Sequence, residues 1–192
     1  MNATRFVTHA GCSLLAAVVI CASPSRALAQ SQHGHAKPDP GAATLVDVVR
    51  QSTERFKNVT AAQAEGYNLA FGCVSGAEYG AMGMHFVNFP LVLDHELDAT
   101  KPEIVIYEPL PNGRLRLVGA DYLVLADQWH AKHPDAGPPQ IMGQLMHLFE
   151  SPNRFGLPSF YTLHVWAWKE NPTGTFVNWH SNVKCDAFSP QD

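Results

Sequence analysis

Between Tyr161 and Trp168 apolar and polar positions alternate. Tyr161, Leu163, Val165 and Ala167 fall on one side, and Thr162, His164, Trp166 and Trp168 on the other. The pattern predicts a strand that carries a histidine among indole rings. Further strands are predicted over Met82–Phe89, Ile104–Glu108 and Arg114–Leu125, the last with a bulge at Gly119. Asn112-Gly113 marks a tight turn between two of them, and Asn171–Gly174 has the residue order of a type I turn. Ile141–Phe149 fits either a strand or a helix. Ahead of the strands, Leu45, Val48, Val49 and Phe56 follow helical spacing, and Thr44 with Asp47 resembles a capping box, which predicts a helix over Ala43–Lys57. Thr60 with Gln63 predicts a second, short helix ending near Gly66, and Ala126–His133 reads as a helical turn. Helices followed by strands predict an α+β fold with a mainly antiparallel sheet, which could curl into a barrel-like form.

The first segment changes what counts as the mature chain. Arg5, the apolar run Gly11–Ala22 and the small residues of Ala27-Leu28-Ala29 predict a signal peptide over residues 1–29. Ile20 before Cys21 argues against lipid attachment. Residues 30–42 read as a flexible tail and 43–192 as one globular domain. The chain carries a net charge of −4, and loss of Arg5 and Arg26 with the leader makes it more acidic. An acidic chain without a basic run argues against nucleic acid, and no second apolar stretch suggests a membrane anchor. The expected location is secreted or periplasmic. Cys73 and Cys185 are the two of four cysteines that outlast the leader, so a disulfide between them is expected. A thiolate metal site lacks the usual CxxC or CxH spacing.

The histidines carry the candidate chemistry. His33 and His35 fall in the tail, His95 on a turn among acids, and His130 and His133 beside a loop rich in Pro and Gly; these are expected to be solvated. Of the other four, His85, His147, His164 and His180, the first three lie on separate apolar segments. Three imidazoles meeting inside a sheet would suit zinc, copper or iron, with Glu108 completing the set or Glu78 as a substitute. The methionines beside His85 and His147 read as core filler. HExxH, CxxCH, GxSxG, Walker and GxGxxG signatures are all absent. The leading expectation is a metal-binding domain whose ligand is an ion or a small molecule, with catalysis open. One alternative is a metal-free pocket enzyme, with His164 as general acid or base, oriented by Glu108 or Asp121 between Trp166 and Trp168. Another is a ligand-binding module in which the histidines are structural. The sequence leaves the reaction, the substrate and the oligomeric state open.

The segments "GAMGMHFVN", "PEIVIYEP", "GRLRLVGADYLV" and "LHVWAWKENPTGTF" together resemble a group of small secreted bacterial proteins of unassigned function. The resemblance spans roughly Gly66 to Cys185. It implies secretion and a single domain, and it transfers no catalytic residue. Cupins also set histidines and a glutamate on barrel strands, but their HxH pattern is missing from these segments.

Overall fold

The computed structural model describes residues 44–189; the signal-peptide and tail expectations, with His33 and His35, lie outside them. Two α-helices, α1 (Leu45–Thr53) and α2 (Val59–Ala64), precede the sheet, joined through a 3₁₀ turn over Glu54–Lys57. The capping box holds: Thr44 Oγ1 accepts from Asp47 N, and Asp47 Oδ2 accepts from Thr44 N, each at 3.2 Å. The second helix is capped two residues earlier than Thr60 implies. Asn58 Oδ1 accepts from Thr60 N at 3.1 Å, which makes Asn58 the N-cap.

Six strands form one antiparallel sheet curled into a half-barrel, as the α+β expectation required. They are β1 (Asn68–Gly76), β2 (Gly80–Val87), β3 (Ile104–Pro109), β4 (Leu115–Leu125), β7 (His147–Phe149) and β8 (Phe160–Val165). Their spatial order is β1-β2-β3-β4-β8-β7. Two short helices, α3 (Phe89–Asp94) and α4 (Ala126–Lys132), follow β2 and β4. The segment Ile141–Phe149 is neither one strand nor a helix. Met142 and Gly143 both have positive φ and turn β5 (Gln140–Ile141) tightly onto β6 (Gln144–Leu145), before β7 joins the main sheet.

Strands β2, β3, β4 and β8 are buried on both faces, which explains why they read as nearly continuous apolar runs. The predicted alternation in β8 is real. Tyr161, Leu163, Val165 and Ala167 pack with Leu45 and Val49 of α1 and with Tyr122 and Val124 of β4. Ile104, Ile106 and Leu123 pack on the opposite, inner face with Val87, Phe160 and Trp166. The bulge expected at Gly119 is present. Ile106 faces Gly119 while Tyr107 faces Leu117, so Val118 has no partner across the strand. Strand β8 ends at Val165, earlier than the alternation suggested. Trp166 N turns away to donate to Thr175 O, and Trp168 N donates to Val118 O, both at 3.0 Å.

The expected disulfide joins Cys73 of β1 to Cys185, with Cα atoms 5.7 Å apart. It ties the C-terminal segment to the sheet, and Ala81 and His180 add a reciprocal pair of backbone hydrogen bonds there. No helix among the described residues is long and apolar enough to cross a membrane.

Candidate metal centre

The site forms on the inner face of the curl. Asp121 of β4 lies directly opposite His164 of β8. His85 of β2 pairs with Ile106 of β3, which in turn faces Gly119 of β4. On a flat sheet β2 and β8 would stand three strand spacings apart, about 14 Å. Curling brings the His85 and His164 ring centroids to 5.7 Å, with the rings nearly perpendicular. Nitrogens of both rings and a carboxylate oxygen of Asp121 lie within 4.8 Å of one another, and all three residues are buried. The group could hold a metal ion.

Two of the three are oriented by a neighbour. Thr162, two residues before His164 on the same face, donates its hydroxyl to Asp121 Oδ1 at 2.6 Å. His85 Nδ1 lies 3.2 Å from Gly83 O. A carbonyl can only accept, so Nδ1 carries the proton and Nε2 keeps its lone pair for another partner. Gly83 can present that carbonyl because its φ is +88°, and a Cβ there would come within 2.8 Å of Tyr107 O. His164 differs. Its Nδ1 stands 3.5 Å from Asp121 Oδ1, and neither ring nitrogen completes a hydrogen bond. Asn178 faces the same ring, near enough to favour its protonated form, but its carboxamide oxygen falls short of a completed hydrogen bond.

Burial sets the protonation of the group. It presses His85 down to about 4, helped by the neighbouring His164, and His164 down to about 3, helped by His147. It pushes Asp121 up to about 6 against the pull of the Thr162 hydroxyl. At neutral pH the group is therefore two neutral imidazoles and one buried carboxylate. A buried anion beside two lone-pair donors favours a cation.

Aromatic side chains close the site from water. Phe149, Phe155 and Phe160 stand over it, with Phe155 6.5 Å from the His85 ring by centroids. Phe155 is carried by the connection between β7 and β8. There Asn153 Oδ1 accepts from the backbone N of Phe155 and of Leu157, and Asn153 Nδ2 donates to Leu157 O. The space left beside the three residues for water-sized occupants is ≈ 20 Å³, about one water molecule.

Of the residues singled out in the sequence, His85 and His164 meet, and His147 and Glu108 stand outside the group of three. His147 opens β7, directly across from Thr162, and is exposed in a surface hollow with Glu78, Asn178 and Trp179. Glu108 is held by Lys169 Nζ at 2.8 and 2.9 Å, with Arg116 at 3.6 Å. Trp166 and Trp168 do not wall the small cavity, because the strand ends before them. Trp166 donates to Val177 O and Trp168 to Thr53 Oγ1. His180 is fully buried; its Nδ1 accepts from Asn182 N, and its ring meets Trp166 edge-on. His130 and His133 are less free than expected, since His130 bonds the Tyr161 hydroxyl and His133 packs on Trp129.

The sequence marks Asp121 only as a possible orienting partner of His164. The stronger signal was its position, as the one acid inside the long apolar run of β4, where a carboxylate is rarely buried without a partner. Comparison of the chain with protein-family models, curated proteins and solved structures found no match.

Proposed function

We propose that this protein is a secreted or periplasmic metal-binding domain that holds one transition-metal ion between His85, Asp121 and His164. The observation that carries the reading is the His164 ring, buried with both nitrogens unpartnered beside a buried carboxylate. Without an ion that arrangement leaves unsatisfied polar atoms and an uncompensated charge. Two imidazoles and one carboxylate suit zinc or iron(II), with positions left open for water or substrate, and copper(II) also accepts nitrogen and oxygen donors. An open position would let the ion polarise a bound oxygen or lower the pKa of its water. His147 faces the same side of the sheet at the diagonal position to His164, a separation that a long side chain can span. It is the natural candidate for an outer ligand. The disulfide is compatible with an oxidising location, as is the resemblance to small secreted proteins.

The metal-free reading is weaker on two counts. His164, pressed down to about 3, is a poor base at neutral pH. The space directly beside it, ≈ 20 Å³, has room for a water or an ion and not for the body of an organic substrate. Elemental analysis of untagged protein from its native compartment tests the proposal. About one equivalent of zinc, iron or copper is expected, lost in His164→Ala and Asp121→Asn. Protein that carries no such metal and takes up none on titration would overturn it.

A further inference from the structure

A second cavity lies next to the buried group, on the side toward the surface. It measures ≈ 130 Å³, and every side chain lining it is apolar. It shares Phe71, Ile104, Leu123 and Leu157 with the small space beside His85, Asp121 and His164. The outer end is rimmed by Phe71, Phe89 and Leu93, all exposed. The path inward from the apolar mouth thus ends against the pocket that holds the three polar side chains.

The backbone is distorted at this place. Strand β1 pairs Ala70 with His85 and then Cys73 with Met84, so two residues are extra on its side. Those residues, Phe71 and Gly72, have φ of 64° and 65°. The left-handed conformation is ordinary for glycine but costs an aromatic residue about 1–2 kcal/mol. Backbone strain of this kind gathers at ligand clamps and active sites, where surrounding contacts enforce it. Here it lifts Phe71 out of the ladder and sets it against Phe155, 5.4 Å away by ring centroids, at the junction of the two cavities.

We infer that the cavity between the Phe71–Phe89–Leu93 rim and the His85–Asp121–His164 floor binds a small uncharged apolar molecule, an arene or a short alkyl compound. The volume supports that class, since an apolar cavity of about 150 Å³ takes up benzene and stays free of water. The lining excludes charge, because no side chain along the path could offset the desolvation of an ionised group. A ligand with one lone-pair atom at its inner end would direct that atom at the floor. That last statement rests on the metal reading, whereas uptake of the apolar body does not.

Toluene is the probe. Its binding is followed by calorimetry, and by the methyl NMR signals of Val92 and Leu123, on the protein as purified and after chelator treatment. Saturable one-to-one binding is expected in both, with the charged analogue p-toluate weaker by at least about tenfold. Leu157→Trp, which fills the shared section, should weaken toluene by a similar factor. Leu93→Asp, at an exposed rim position that tolerates substitution, should weaken it several-fold without loss of fold. His85→Ala should abolish metal uptake and leave toluene binding in place, which separates this inference from the metal proposal. Folded wild-type protein that shows no saturable uptake up to the solubility of toluene would overturn the inference. So would binding that Leu93→Asp and, if folded, Leu157→Trp leave unchanged.

Discussion

Thr162 shows how much of a site can rest on one hydroxyl. It is buried, and its single side-chain bond goes to Asp121 Oδ1. Thr162→Val keeps the shape and leaves that oxygen unpartnered, so the carboxylate is both less favoured and less well aimed. Metal affinity should fall about 10- to 100-fold, the usual cost of losing an outer-shell partner, with folding retained and Thr162→Ser restoring most of it. An unchanged titration for the valine variant would count against Asp121 as a ligand. Glu103 gives a residue-scale prediction of the opposite kind. It is buried, accepts from Leu123 N at 3.0 Å, and burial raises its carboxyl to about 8 from the ordinary 4.5. Between those values the folded chain keeps a proton that the unfolded chain has released. The stabilisation from this group is therefore full below pH 4.5 and is lost as pH rises through about 8. Glu103→Gln keeps the acceptor and removes the titration. Its melting temperature relative to wild type should climb between pH 5 and 8 and then level, and a difference that stays constant with pH would refute this account.

At the scale of elements, legibility followed backbone regularity. Strands β3 and β4 are legible as apolar runs bounded by turn residues and β8 by its alternation, and the bulge at Gly119 is legible because glycine interrupts an otherwise continuous run. Strand β1 escaped notice. Its outward positions are exposed and Phe71-Gly72 breaks its alternation, so a pattern of period two never accumulates. The site was half legible for a related reason. His85 and His164 each stand out on an apolar strand, but which strands adjoin, and how far the sheet curls, depends on pairing that one strand does not encode. The sequence favours Glu108 over Asp121 as the carboxylate ligand, whereas in the fold Lys169, supplied by a distant segment, holds Glu108. The three-residue unit Gly83–His85 offers a test of local design. Gly83→Ala meets both a positive φ and a 2.8 Å approach to Tyr107 O, and should cost about 1–3 kcal/mol. It should also free His85 from its fixed tautomer, so that metal affinity drops more than stability alone explains. Equal stability and affinity in the alanine variant would remove Gly83 from the site.

Across the whole molecule, the disulfide is the longest-range covalent constraint. Its cysteines are separated by 112 positions, and Cys185 anchors the segment that includes His180 and Trp179. Replacing both cysteines by alanine should cost about 2–5 kcal/mol, which for a domain of this size is about 2–4 °C of melting temperature per kcal/mol. Calorimetry checks the shift, and an unaltered transition would mean that hydrogen bonds and packing alone hold the C-terminal segment.

The three candidate ligands come from β2, β4 and β8, strands joined by long intervening stretches of chain. No short peptide of this sequence contains the donor set, so this site cannot chelate an ion before the chain folds. The set comes into being only when the curl closes. Selection among ions would then be made by whatever surroundings the chain folds in, and metal availability at that address, more than relative affinity, would decide what the protein carries.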